Sequence, residues 1–160
     1  MLAVQVPTGL VYASLMASIA IGGCILTHLQ QSGFTPETIS IGIFAVAAVS
    51  MFVPVLSSSL YPTLAAFFIF EMCVGAYDGV AGIIRSKYIP DGQMGSIMNI
   101  MRIPLNILVV VGTKMEGTYS HSTCFIYCGM WHVITFAMAV MLQRRSVTAK
   151  KVEQRGKKNA

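Results

Sequence analysis

The chain alternates long apolar runs with short polar segments, and this pattern predicts membrane-spanning helices. A helix needs about 20 mostly apolar residues to cross roughly 30 Å of hydrocarbon. Five runs meet or approach that length, at residues 6–26, 39–56, 60–84, 97–114 and 123–142. The segments between them are brief and contain turn-forming residues such as Gly33 and Pro90. The sequence therefore predicts an all-α membrane protein with five transmembrane helices.

Composition supports a multi-pass integral membrane protein. Hydrophobic residues make up 55% of the 160 positions and charged residues only 11%, with a mean hydropathy of +0.70. A soluble domain normally has about 25% charged residues, so this chain cannot cover a water-facing surface. The four cysteines all lie in apolar runs, where free cysteine usually acts as a small buried hydrophobic residue. The lipid bilayer is therefore the first predicted partner.

The basic residues predict the orientation of the bundle. Arg85, Lys87 and Arg102 flank the segment between the third and fourth runs, and a larger basic group follows residue 143. With five spans, these two groups lie on the same side, which the positive-inside rule assigns to the cytoplasm. Residues 146–160 are thus predicted to be a basic cytoplasmic tail. Proximity to anionic lipid explains such a tail, and we expect no nucleic-acid partner.

The third apolar run contains acidic residues that a lipid-facing helix would not carry. Glu71, Asp78 and Arg85 follow one another at steps of seven, within about 40° on a helix. An ionised group near the bilayer midplane costs several kcal/mol in lipid, so this face should meet protein or a wet cavity. Glu71 and Asp78 are therefore candidates for proton coupling. The alternative is a packing face, because Gly75-x-x-x-Gly79 is a small-residue pattern typical of packed membrane helices.

The fourth run repeats this arrangement with neutral and cationic groups. Asn99, Arg102 and Asn106 lie within about 60° on a helical wheel and are candidates for substrate binding. We expect Pro104 to interrupt this helix, since proline removes a backbone donor. Arg102 could instead be a simple anchor at the membrane interface.

The last run has a third polar arc, and its chemistry is the least specific. The arc contains His121, Cys124, Cys128, Trp131 and His132. Thiolate and imidazole suit a soft metal, but one helix rarely supplies a closed site, so packing is the preferred interpretation. We predict no metal and no cofactor. The sequence also lacks a nucleophile with a plausible base and a phosphate-binding loop, so an enzyme is not expected.

Three motifs resemble one known family. They are FE-x-C-V-G-x-Y at residues 70–77, RSKYIP at residues 85–90 and IMN-x-x-RIPLN at residues 97–106. With SGFTPETI at residues 32–39, they are similar to the C-terminal part of the molybdate-anion transporter family, within the major facilitator superfamily. The resemblance covers roughly residues 6–145.

The resemblance implies spans 8–12 of a twelve-helix transporter that works by alternating access. Residues 1–145 would be a partial C-terminal half, with the N-terminal helices of the same transporter as missing partners. The implied function is transport of a small oxyanion, molybdate, across the plasma membrane.

The match extends to individual candidate residues, with one departure. The family motifs include Glu71, the candidate for proton coupling, and the candidates for the substrate pathway, which are Arg85, Asn99, Arg102 and Asn106. Asp78 stands where the family tends to have an aromatic residue, so its role rests on its position alone. Two alternatives stay open, a transporter of another solute and a truncated membrane fragment that does not transport.

Overall fold

The computed structural model describes residues 7–57 and 59–158, and it confirms the all-helical prediction. Five helices follow one another in the chain, and no strand occurs within these residues. They are α1 (Thr8–Gln31), α2 (Pro36–Leu56), α3 (Leu60–Tyr88), α4 (Asp91–Thr118) and α5 (His121–Lys158). Each is long and apolar enough to cross a membrane. The start of the first predicted span, Val6, lies outside the described residues.

The helix ends follow local backbone chemistry rather than the limits of the apolar runs. The turn before α2 uses Gly33 at φ 85°, a left-handed conformation that glycine adopts without strain. Thr35 then caps α2, accepting a hydrogen bond from the Thr38 amide, and Pro36 follows at the first helical position. Hydrogen bonding along α5 continues through the basic segment, so that helix extends to Lys158.

The expected interruption at Pro104 is wrong, because α4 is continuous from Asp91 to Thr118. A proline removes one backbone hydrogen bond, and the remaining bonds on either side keep the helix intact. α2 likewise continues through Pro54. The candidate residues before and after Pro104 therefore share one helix and one face.

The core lies around α2, which packs against both α3 and α5, while α1 packs against α3. Its buried side chains come from α1, α2 and α3: Leu26, Ile39, Ile43, Ala47, Cys73, Ala76 and Val80. The list combines branched aliphatic side chains with small ones such as Ala47 and Ala76, and small residues let membrane helices approach closely. These contacts hold four helices together.

α4 stands apart from that assembly. It touches α5 only slightly, and none of its residues is buried. Its polar and apolar faces are therefore both exposed in this chain.

Candidate functional site

The polar stripe predicted on the fourth run lies on one exposed face of α4. Asn99, Arg102 and Asn106 are all exposed, and none of their side chains forms a hydrogen bond or an ion pair with another described residue. Their spacing of three and four residues places them on one side of the helix. The stripe thus offers a guanidinium group and two amides whose donors are free.

The two acids of α3 face away from the core. Glu71 is half-buried and Asp78 is exposed, and neither forms an ion pair within residues 7–57 and 59–158. At about 100° per residue, both lie roughly opposite Val80, which is completely buried. The acidic face of α3 therefore points away from the core of this bundle.

The glycines of α3 pack against α1, which confirms the small-residue contact predicted from Gly75-x-x-x-Gly79. A Cβ added at Gly75 would overlap the backbone of Ile19, and one added at Gly79 would overlap the Leu26 side chain. On α1, Gly22 lies equally close to the backbone of Met72. Packing therefore explains the glycines, whereas Glu71 and Asp78 form no ion pair within the described residues.

Arg85 occupies the last turn of α3, near the polar ends of several helices. Its Nε donates a 3.0 Å hydrogen bond to the Ala81 carbonyl, and its Nη1 lies 3.7 Å from the Met98 sulfur of α4. A thioether is a weak acceptor, so most of the guanidinium donors are free. Within the described residues, Arg85 forms no hydrogen bond with Glu71 or Asp78.

The prediction from sequence missed a buried carboxylate at the start of α2. Glu37 is 1% exposed, and its Oε1 accepts hydrogen bonds from the Lys87 ammonium and, at 2.7 Å, from the Tyr88 hydroxyl. Ser146 of α5 approaches the same oxygen at 3.4 Å. One carboxylate thus connects α2, α3 and α5. A buried charge is stable when it is paired and hydrogen-bonded in this way.

A second contact beside Glu37 strengthens the same junction. Gln143 of α5 donates a 2.8 Å hydrogen bond to the Thr38 hydroxyl, which also bonds Thr35. A signal for this junction was present in the sequence. Alternating helices place the start of α2 and the end of α3 at one end of the bundle, where Glu37 and Lys87 are complementary charges.

The His and Cys arc of α5 lines a cavity of about 670 Å³ between α4 and α5. His132 Nδ1 lies 2.7 Å from the Cys128 carbonyl, and its ring stacks edge-on with Phe70 at 5.4 Å. Within the described residues, no group of His, Cys, Asp and Glu is arranged to hold a metal ion.

Comparison with known proteins finds two relatives that are named as transporters. The chain is 25% identical over 147 residues to a protein named molybdate-anion transporter from Xenopus tropicalis, covering 85% of this chain and 32% of the relative. A molybdate-anion transporter from Xenopus laevis is 24% identical over 147 residues, with 85% and 33% coverage. The chain thus spans about a third of the length of these relatives.

No protein-family model matches the chain. No solved structure matches it either, so the assignment to spans 8–12 of a twelve-helix fold stays a prediction. The resemblance seen in the motifs is confirmed by similarity over 85% of this chain. This multi-pass membrane protein is similar to two proteins named molybdate-anion transporter.

Proposed function

We propose that this chain is part of a transporter for a small oxyanion, and that the anion is molybdate. The observation that carries the proposal is similarity over 85% of the chain to two proteins named molybdate-anion transporter. Both relatives are named as transporters rather than enzymes. The five helices supply the membrane setting that transport needs.

The exposed stripe of α4 has the chemistry for binding such an anion. A doubly charged tetrahedral oxyanion is bound by charge-assisted hydrogen bonds, which the Arg102 guanidinium can donate in pairs. Asn99 and Asn106 add neutral donors on the same face without bringing a repelling charge. Arg85 provides a second cation at the polar end of α3, where the anion would enter or leave.

The acidic face of α3 supports coupling of transport to protons. Glu71 and Asp78 lie about 10 Å apart along one side of the helix. In alternating access, two halves of a transporter rock about a central site. Further helices, packed over the exposed faces of α3 and α4, would enclose the acids and the arginine in one cavity. The plasma membrane is the proposed location, with the C-terminus in the cytoplasm.

Molybdate uptake tests the proposal in a transporter of the relatives' length that includes this chain. We expect Arg102→Gln to reduce molybdate affinity about tenfold, the scale of one charge-assisted hydrogen bond. Lys114→Gln is the matched control, since it removes a cation of α4 that lies about 18 Å along the helix from Arg102 and about 120° around it.

Two outcomes would contradict the proposal. Equal uptake by the parent and by Arg102→Gln would show that the stripe of α4 does not bind the substrate. Uptake of a different solute, with no competition from molybdate, would favour a major facilitator transporter with another substrate.

A further inference from the structure

A groove runs between α3 and α5 on the side of the bundle where both helices contact α2. It has a volume of about 610 Å³, within the range of roughly 300–1,000 Å³ typical of ligand sites. Its walls are mostly apolar and come from three helices: Phe44, Ile84, Met138, Met141 and Leu142. The groove is separate from the α4 stripe, because no residue of α4 lines it.

Two arginines stand at one end of this groove. Arg85 comes from α3 and Arg145 from α5, and neither forms an ion pair with a described carboxylate. Arg145 is exposed, and Arg85 is half-buried. The nearby carboxylate of Glu37 is bound to Lys87, so it does not neutralise them. The groove therefore has two cationic side chains available for an anion.

The charges and the apolar walls are separated along the bundle axis. Along the helix axis, the lining residues of α3 extend about 12 Å from Arg85 to Tyr77. Those of α5 extend about 15 Å from Arg145 to Thr135. Beyond the arginines, the walls consist mainly of aliphatic and aromatic side chains. A ligand that fits must therefore have an anionic head at the end of the bundle and an apolar chain extending into the membrane.

We propose that this groove binds one anionic phospholipid, with its phosphate between Arg85 and Arg145 and an acyl chain along Phe44 and Met138. Guanidinium groups bind phosphate oxygens in pairs, and basic pockets between membrane helices are suited to anionic headgroups. A free oxyanion would satisfy the arginines and leave the apolar walls unfilled. This lipid site goes beyond the proposed transport function. It shares Arg85 with the proposed anion pathway, whereas Arg145 has no part in that function.

Native mass spectrometry of the chain in detergent tests the site. The probes are phosphatidylglycerol, the zwitterionic phosphatidylcholine, and inorganic phosphate. We expect one phosphatidylglycerol to stay bound, and Arg145→Gln to weaken its binding about tenfold, the scale of one charge-assisted contact. Arg144→Gln is the matched control, because Arg144 is the neighbouring exposed arginine and does not line the groove. Arg145 is exposed and makes no described hydrogen bond, so its substitution should not unfold the chain.

Three results would overturn the proposal. Equal loss of lipid in Arg144→Gln and Arg145→Gln would indicate general attraction to the basic helix rather than a site. Retention of phosphatidylcholine equal to that of phosphatidylglycerol would show that the headgroup charge does not contribute to binding. Inorganic phosphate that displaces the lipid, and protects the chain from heat to the same degree, would make the groove a site for a free anion.

Discussion

Tyr88, at the end of α3, donates a 2.7 Å hydrogen bond to the carboxylate of Glu37, at the start of α2. The two residues are 51 positions apart in the sequence, and Lys87 binds the same carboxylate oxygen. Because the carboxylate is buried, these donors replace the water that would otherwise solvate it. The contact therefore joins two helix ends that the chain connects only through the far side of the bundle.

Removal of Lys87 should destabilise the chain more than its partial exposure suggests. Lys87→Met leaves the Glu37 charge buried with hydroxyl donors alone, at an expected cost of about 1–3 kcal/mol. Adding Glu37→Gln should recover part of this loss, because no unpaired buried charge then remains. Thermal unfolding in detergent measures both effects. Lys114→Met, on exposed α4, is the control, and an equal loss there would contradict the argument.

The α1–α3 contact predicts opposite effects for two neighbouring glycines. Gly22→Ala should destabilise by about 1–3 kcal/mol, since its methyl group would overlap the Met72 backbone. Gly23→Ala has open space and should stabilise the helix by up to about 1 kcal/mol. The thermal unfolding midpoints of the two variants, each compared with the parent chain, test this prediction. A shift of the same sign in both would rule out close packing at Gly22.

The distribution of basic residues predicts that the C-terminus lies in the cytoplasm. A cysteine introduced after residue 146, in a chain whose four native cysteines are replaced by serine or alanine, should react with a membrane-impermeant reagent only after the cells are opened. Labelling in intact cells would show that the C-terminus is outside the cell. It would contradict the predicted topology and the family placement that depends on it. A cysteine at residue 119, in the turn between α4 and α5, should show the opposite accessibility.

Proton coupling through the acidic face of α3 predicts a specific change in transport. In a transporter of the relatives' length, Glu71→Gln should preserve delivery to the membrane and remove the pH dependence of molybdate uptake. Asp78→Asn should have a smaller effect, because that position departs from the family pattern. Glu116→Gln, on exposed α4, controls for the loss of a carboxylate. A pH profile unchanged by Glu71→Gln would make Glu71 a packing residue.

Alternating access predicts that these 160 residues do not transport by themselves. Expressed alone, the chain should give no molybdate uptake above a vector control, because α4 has no partner over its polar stripe and no second half can rock against it. Uptake above the control would show that five helices suffice, and it would contradict the twelve-helix proposal.

Hydropathy along the chain was enough to predict the number of helices and their membrane setting. In lipid, a single apolar run such as residues 39–56 can pair its own backbone N–H and C=O groups only as a helix. Hydropathy alone therefore predicts a helix there. The glycine pattern of Gly75 and Gly79 also predicted a close contact correctly. That inference is reliable because a glycine on a packed membrane helix usually marks a place where a neighbouring helix approaches closely.

The faces through which the helices contact one another became known from the three-dimensional arrangement. It placed α2 at the centre, left α4 exposed, and brought Glu37 to Lys87 and Tyr88 across 50 residues of chain. It also kept α4 continuous at Pro104, where the sequence predicted a break. Helical periodicity gives the angle of each side chain about its own axis. The identity of the neighbour depends on how the helices are arranged around one another, and no local pattern in the sequence encodes that arrangement.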